Sequence, residues 1–374
     1  MVNAPPAATV TGSPLATVAR IVPIVAVGVL IGVWGRTLPV AVEVVVVALL
    51  AASVLAAVHH AEVVAHRVGE PFGSLILAVA VTVIEVGLII TLMISGGPAT
   101  ASLARDTVFA AVMITCNGIV GLSLLLAALR TRTARFNAEG TGAALTTVIT
   151  LATLSLVLPT FTTSAPGPEF SPPQLAFAAF ASLILYALFV FVQSVRHRSY
   201  FLTPGAGEVR DGEDDDAHAA GPSNRTALIS LALLLAALVA VVGLAKVESG
   251  TIEHSVAAAG LPQSVVGVVI ALLILLPETL AAARNARRNR TQISLNLALG
   301  SAMASIGLTI PAIAVASIWL SGPLVLGLGA LQIVLLALTA GVGILTVMPG
   351  RSTLLQAAVH LVLCAAYLFL AANP

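Results

Sequence analysis

Glu85 and Glu278 are acidic side chains set deep inside two otherwise apolar stretches, AVAVTVIEVGLIITLM and VVIALLILLPETLAAA. A carboxylate near the centre of a bilayer is expensive to hold charged, so intramembrane acids mark ion or proton pathways. Two of them, 193 positions apart, suggest one site assembled from two parts of the chain. The chemistry suits a hard cation. Ca2+ takes about six to eight oxygens, of which two carboxylates supply roughly four, with backbone carbonyls, Asn or Ser oxygens and water for the rest. Without the cation, two desolvated carboxylates close together cannot both stay ionised, and protons neutralise them. Cation and protons then compete for the same oxygens, which is the physical basis of antiport. One divalent ion balances the charge of two protons.

Further oxygen donors and helix breaks surround the two acids. Pro277 directly precedes Glu278; it removes a backbone donor and frees a carbonyl to face a cavity. Thr82 and Gly87 flank Glu85. The next apolar stretches add Thr115, Asn117, Gly118, Gly121 and Ser123 in one case, and Asn296, Gly300, Ser301, Ser305, Gly307 and Thr309 in the other. Small residues let helices approach closely, which accounts for most of these. Thr82, Asn117, Pro277, Ser301 and Ser305 are the candidate lining of the cation site. No soft-metal ligand set is visible, so no resident cofactor is expected; the metal ion at Glu85 and Glu278 is cargo.

The elements that hold these residues follow from composition. With 59% hydrophobic and 9% charged residues and a mean hydropathy of +1.07, the chain is too apolar for a soluble domain. The apolar runs are long enough for helices to cross about 30 Å of hydrocarbon, and the short alternating strands of a β-barrel are absent. The fold class is an all-α polytopic membrane protein. Eleven helices are predicted near 18–34, 38–58, 72–95, 106–129, 141–161, 174–194, 226–246, 264–284, 292–319, 323–347 and 351–371. Cys116 and Cys364 fall inside apolar runs and read as free thiols. No Lys or Arg precedes Arg20, so the charged start of a signal peptide is not seen. The partners implied are inorganic cations, protons and the lipid bilayer; a net charge of +1 gives no reason to expect nucleic acid. Oligomeric state is not encoded in any pattern here.

Basic residues assign the sides. With the N-terminus inside, the inner segments hold 14 of the 17 Lys and Arg, and the outer ones only Arg36, Arg105 and Lys246. A missed or invented helix would destroy this alternation. The expected location is the plasma (inner) membrane, with a cytoplasmic N-terminus and an external C-terminus. With residues 1–37 set aside as tail and first helix, the acidic linker 195–225 divides the remainder into 38–194 and 226–374, five helices each. Consecutive blocks with an odd helix count insert upside down relative to each other, the inverted-repeat plan of many secondary transporters. Glu85 and Glu278 each lie in the second helix of a block. They sit roughly 20 Å along those helices from opposite faces, which puts both near the midplane.

From His60 to Leu77 the chain reads H-x-x-x-x-x-H-R-x-G-E-P-x-G-S-L-I-L, and the region from Ala271 reads ALLILLPETLAAARNARRNRTQISLNLALGSAMASIGLTIP. These stretches resemble the two signature regions of the Cha-type bacterial calcium (sodium)/proton antiporters, within the cation/calcium exchanger superfamily. The resemblance spans nearly the whole chain. It implies eleven helices, two inverted repeats of five, and an essential acid in each repeat, at Glu85 and Glu278. The chain departs from the superfamily's wider G-N-x-x-E pattern, with Val81-Thr82 before Glu85 and Leu276-Pro277 before Glu278.

Other polar residues have two readings each. Glu70 draws cations to an inner mouth or favours a helix N-terminus. His59, His60 and His66 on the inner rim titrate in a range a proton-coupled carrier senses, or are simply solvated. His360 is a packing residue rather than a relay member. Glu43, a few residues inside its helix, reaches the outer surface as an interfacial residue. Glu213, Asp214, Asp215 and Asp216 lack the spacing of a calcium loop and read as a solvated linker. The cluster Arg284, Arg287, Arg288 and Arg290 anchors topology against anionic lipid.

The function expected is secondary active exchange of cytoplasmic Ca2+, Na+ or K+ for external protons, and not an enzyme. Na+/Ca2+ exchange without proton coupling is one alternative. A passive channel is another, although it would need symmetric subunits or a filter loop. An intramembrane enzyme would need a nucleophile or metal constellation, and neither H-E-x-x-H nor paired intramembrane aspartates occur.

Overall fold

The computed structural model describes residues 14–69, 72–203, 222–319 and 322–374. Among them are eleven helices long and apolar enough to cross a membrane, the number the sequence predicts. They are α1 (Pro14–Val33), α2 (Val40–Val68), α3 (Phe72–Gly96), α4 (Leu103–Thr131), α5 (Ala138–Thr160), α6 (Pro172–Arg196), α7 (Asn224–Ala258), α8 (Ser264–Arg287), α9 (Thr291–Ala316), α10 (Ala330–Val347) and α11 (Leu354–Ala372).

Two helices outrun their predicted ends. A stop near 58 was expected for α2 because His59 and His60 are polar. Nothing in HHAEVVAHRV breaks a helix, however, and α2 continues until Gly69, whose φ of 77° an L side chain disfavours. Likewise α7 passes 246 and stops just before Gly260, at φ 68°. At 29 and 35 residues they measure about 44 and 52 Å, against about 30 Å of hydrocarbon. Their ends therefore project beyond it.

The opposite happens before α10, which begins at Ala330 rather than 323. Residues 323–329 are non-helical, with Leu326 and Leu328 buried. Their backbone is paired within the protein: Val325 N donates to Ala101 O at 3.1 Å, Gly327 N to Pro168 O at 2.9 Å and Leu328 N to Leu156 O at 2.8 Å. Non-helical backbone next to a membrane requires such pairing. Arg105 adds a hydrogen bond from Nη1 to Gly327 O while bridging Asp106 at 2.8 Å.

Contacts between loops group them on two sides. The short strands β1 (Thr133–Arg135) and β2 (Arg351–Thr353) pair antiparallel, with Ala134 opposite Ser352, and so place the α4–α5 and α10–α11 connections together. Arg130 donates to Arg287 O, and Arg67 Nε to Asn224 Oδ1, on the same side. The α3–α4, α5–α6 and α9–α10 connections meet on the other side through residues 323–329. Eleven alternating crossings produce this grouping, and the first side is the arginine-rich one.

The helix contacts run crosswise. The α2–α7 pair is the most extensive, with α1 against both and α3 beside them. α3 meets α9 as α8 meets α4, and α6 meets α9 as α11 meets α4. These last two contacts thus recur with their helices shifted by five. On the side opposite the arginines, α8 approaches α4 so closely at Gly267 that a Cβ there would lie 2.8 Å from Thr107 N and 2.9 Å from the Asp106 carbonyl carbon.

Candidate functional site

On α3, Ile84 and Leu88 pack toward the α2–α7 side, which turns Glu85 the other way. Glu85 is 3% exposed, and its Oε1 accepts a hydrogen bond from Ser305 Oγ on α9 at 2.6 Å. One turn further along α9, the buried Thr309 hydroxyl also faces the Glu85 carboxylate. Glu278 comes from α8, one residue after Pro277. That proline lies inside the helix and frees the Leu273 carbonyl one turn back. Glu278 is half-buried, its Oε2 is enclosed without a hydrogen-bond partner, and it stands within electrostatic reach of Glu85.

Both acids line one cavity of about 290 Å³. Ala111 of α4 and Ala271 of α8 line its closed end, away from the arginine-rich side. From there it runs along α3, α6 and α9 to Leu77, Gln193, Ile293 and Asn296. Those residues lie at the ends of α3, α6 and α9 on the arginine-rich side, so the cavity leads to that side and not to the other. Beyond Glu85 the opposite way, Ile89, Leu92, Ile310 and Ile313 are buried.

No Lys, Arg or His is among the lining residues described. The two carboxylates therefore have no countercharge in the cavity and require a cation or protons. Among the described residues no three His, Cys, Asp or Glu side chains come together. A cation held here would take carboxylate oxygens from both acids, with hydroxyls, carbonyls and water completing its shell.

Of the lining residues expected from sequence, Thr82, Ser301 and Ser305 do face the cavity. Asn117 does not. It lies in a π-helical turn of α4, Ile114–Ile119, which inserts a residue and shifts the face presented by about 100°. Its amide donates to Thr339 Oγ1 at 2.9 Å, and its Oδ1 pairs with His360 Nδ1 at 3.2 Å. His360 Nε2 pairs in turn with Thr346 Oγ1 at 3.2 Å, so Asn117 and His360 tie α4 to α10 and α11. Pro277 acts on the backbone and is not among the lining residues.

The rim differs too. His60 is 2% exposed, and its Nε2 meets Ala19 O of α1 at 3.0 Å, so it joins two helices rather than an entrance. His66 is exposed near the end of α2. Glu70 and the acidic run Glu213 to Asp216 lie outside the described residues. Glu62 was missed. It is a third carboxylate whose charge reaches Glu278, with His66 and Arg284 near it. Its spacing four residues before His66 on one helix was the available signal. Gln193 was also missed, because a single Gln near a helix end carries no pattern.

The model of the sodium/calcium exchanger protein family matches residues 38–195 and 229–372, one stretch on each side of the linker. The chain belongs to that family. It is 35% identical over 352 residues to the sodium-potassium/proton antiporter ChaA of Escherichia coli K12, covering 93% of this chain and 94% of that one. It is 47% identical over 331 residues to a protein of Sinorhizobium fredii named as ionic transporter y4hA, covering 87% of each. Its fold is shared with native YfkE (TM-score 0.68, 17% identity, 96% and 100% coverage) and with the H+/Ca2+ exchanger CAX (0.68, 16%, 96% and 92%). As a sodium/calcium exchanger family member, the chain is a multi-pass cation antiporter and not an enzyme.

Proposed function

We propose that the protein exchanges cytoplasmic Na+, K+ or Ca2+ for external protons, with cation and protons competing for Glu85 and Glu278. The observation that carries this reading is the single cavity holding both acids and no basic residue. A bound Ca2+, or a Na+ or K+ together with one proton, neutralises the pair in one half of the cycle and two protons do so in the other, so the carboxylates are never buried bare. Ser305 supports the charged form of Glu85, because a hydroxyl hydrogen-bonds an ionised carboxylate more strongly than a neutral one. The loops at the cavity mouth carry most of the basic residues, which favours a cytoplasmic mouth. The likeness to an antiporter named for sodium, potassium and protons supports the proton coupling and the monovalent cargo expected beside Ca2+.

The test is cation-driven proton flux in proteoliposomes carrying an internal pH dye. A gradient of Na+, K+ or Ca2+ moves protons the opposite way in the native protein and not in Glu85→Gln or Glu278→Gln. Proton flux that persists in both variants overturns the site assignment. Cation flux without proton movement favours sodium/calcium exchange instead.

A further inference from the structure

A second pair of acids lies away from the cavity, where α2 and α7 meet on the side opposite its mouth. Glu248 belongs to the part of α7 beyond residue 246. It is 0% exposed, and neither of its carboxylate oxygens has a hydrogen-bond partner. The charge that acts on it is another acid, Glu43 from the first turn of α2. Glu43 is half-buried and accepts a hydrogen bond from Thr251 Oγ1 at 3.0 Å. Nearby cations are engaged elsewhere: exposed Lys246 donates to Ser95 Oγ of α3 at 2.7 Å, and Arg105 pairs with Asp106. Exposed Arg36 and His254 form no salt bridge with either acid among the described residues.

We propose that Glu43 and Glu248 form a second cation site, separate from the transport cavity, which takes a divalent hard cation such as Ca2+. Two carboxylates facing each other with no basic partner require neutralisation. Glu248 accepts no hydrogen bond and Glu43 accepts one only from Thr251, so neither charge is met by a donor that would hold it in place. A Ca2+ ion, which takes hard oxygens at about 2.3–2.6 Å, neutralises both carboxylates at once. The Thr251 hydroxyl supplies another hard oxygen, and the half-buried Glu43 gives the ion a way in from water. An ion bound there clamps α2 to α7, the most extensively packed helix pair.

The experiment uses the full-length protein in detergent with Glu85→Gln and Glu278→Gln, so that the transport carboxylates are absent. Its result is then independent of the proposed antiport. Calorimetric titration with Ca2+ should show one remaining ion per chain, and Ca2+ should raise the melting temperature. Adding Glu248→Gln should abolish both effects. Should Glu248→Gln fail to fold, Glu43→Gln at the half-buried partner makes the same test. No Ca2+ binding by the folded double variant, or binding unchanged by Glu248→Gln and Glu43→Gln, overturns the proposal. So does a protonated-carboxyl infrared band that persists in saturating Ca2+ and disappears in Glu248→Gln.

Discussion

Ser305 on α9 donates a hydrogen bond to Glu85 on α3 at 2.6 Å, joining residues 220 positions apart at the closed end of the cavity. The bond reaches from one matched stretch of the chain to the other, so the state of the acid depends on how α3 and α9 are placed. Movement of either helix alters the support for the ionised carboxylate.

Replacing the donor tests this coupling. Ser305→Ala removes a hydrogen bond to a charged group, worth about 1.5–3 kcal/mol. The ionised Glu85 loses support, and the half-saturating cation concentration rises roughly ten-fold or more. A cation titration of proton flux at fixed pH reads the change. Ser305→Thr retains the hydroxyl and should stay within a few-fold of native.

Competition at two acids fixes the direction of a pH effect. Lowering pH on the cavity side adds protons to the carboxylates that the cation needs ionised. Half-saturating cation concentration should therefore rise as pH falls, with maximal flux recovered at high cation. Measuring it over several pH values also gives stoichiometry, because displacing two protons changes the apparent affinity up to about a hundred-fold per pH unit and displacing one about ten-fold. Apparent affinity independent of pH would contradict a shared site.

Asn117 separates structure from transport. Asn117→Ala leaves the Thr339 and His360 partners short of a hydrogen bond inside the bundle, at a cost of about 1–3 kcal/mol. Thermal unfolding in detergent should shift downward, while the cation affinity of the remaining folded protein stays within about two-fold of native.

Gly267 reports on closure away from the cavity mouth. A valine there cannot fit against the Asp106–Thr107 backbone, so α8 must part from α4. In a Ser301→Cys reporter, whose native Cys116 and Cys364 are buried, an impermeant thiol reagent should label the cavity from the arginine-rich side. Adding Gly267→Val should slow that labelling severalfold. Unchanged labelling would mean that this contact does not govern access.

Much of this arrangement is legible in one dimension. The bilayer demands apolar runs of a set length, and basic residues gather on one side, so eleven crossings and their grouping follow from composition and order. Glu85 and Glu278 stand out for the same reason, since a carboxylate in such a run has few structural uses. The choice among their polar neighbours is not legible. Helices that are apolar on every face carry little periodicity to show which side meets lipid and which meets protein. Thr82 and Asn117 thus look equivalent in sequence, yet only Thr82 faces the cavity, because a π-helical turn in α4 directs Asn117 toward α10 and α11. Glu248 gave no signal while α7 was expected to end at 246, because a polar residue does not stop a helix and a glycine with positive φ does. Sequence determined how many helices cross and which two acids lie deep within them. Tertiary packing decided which oxygens surround those acids and which side the cavity opens to, since both depend on the rotation and separation of helices that sequence leaves free.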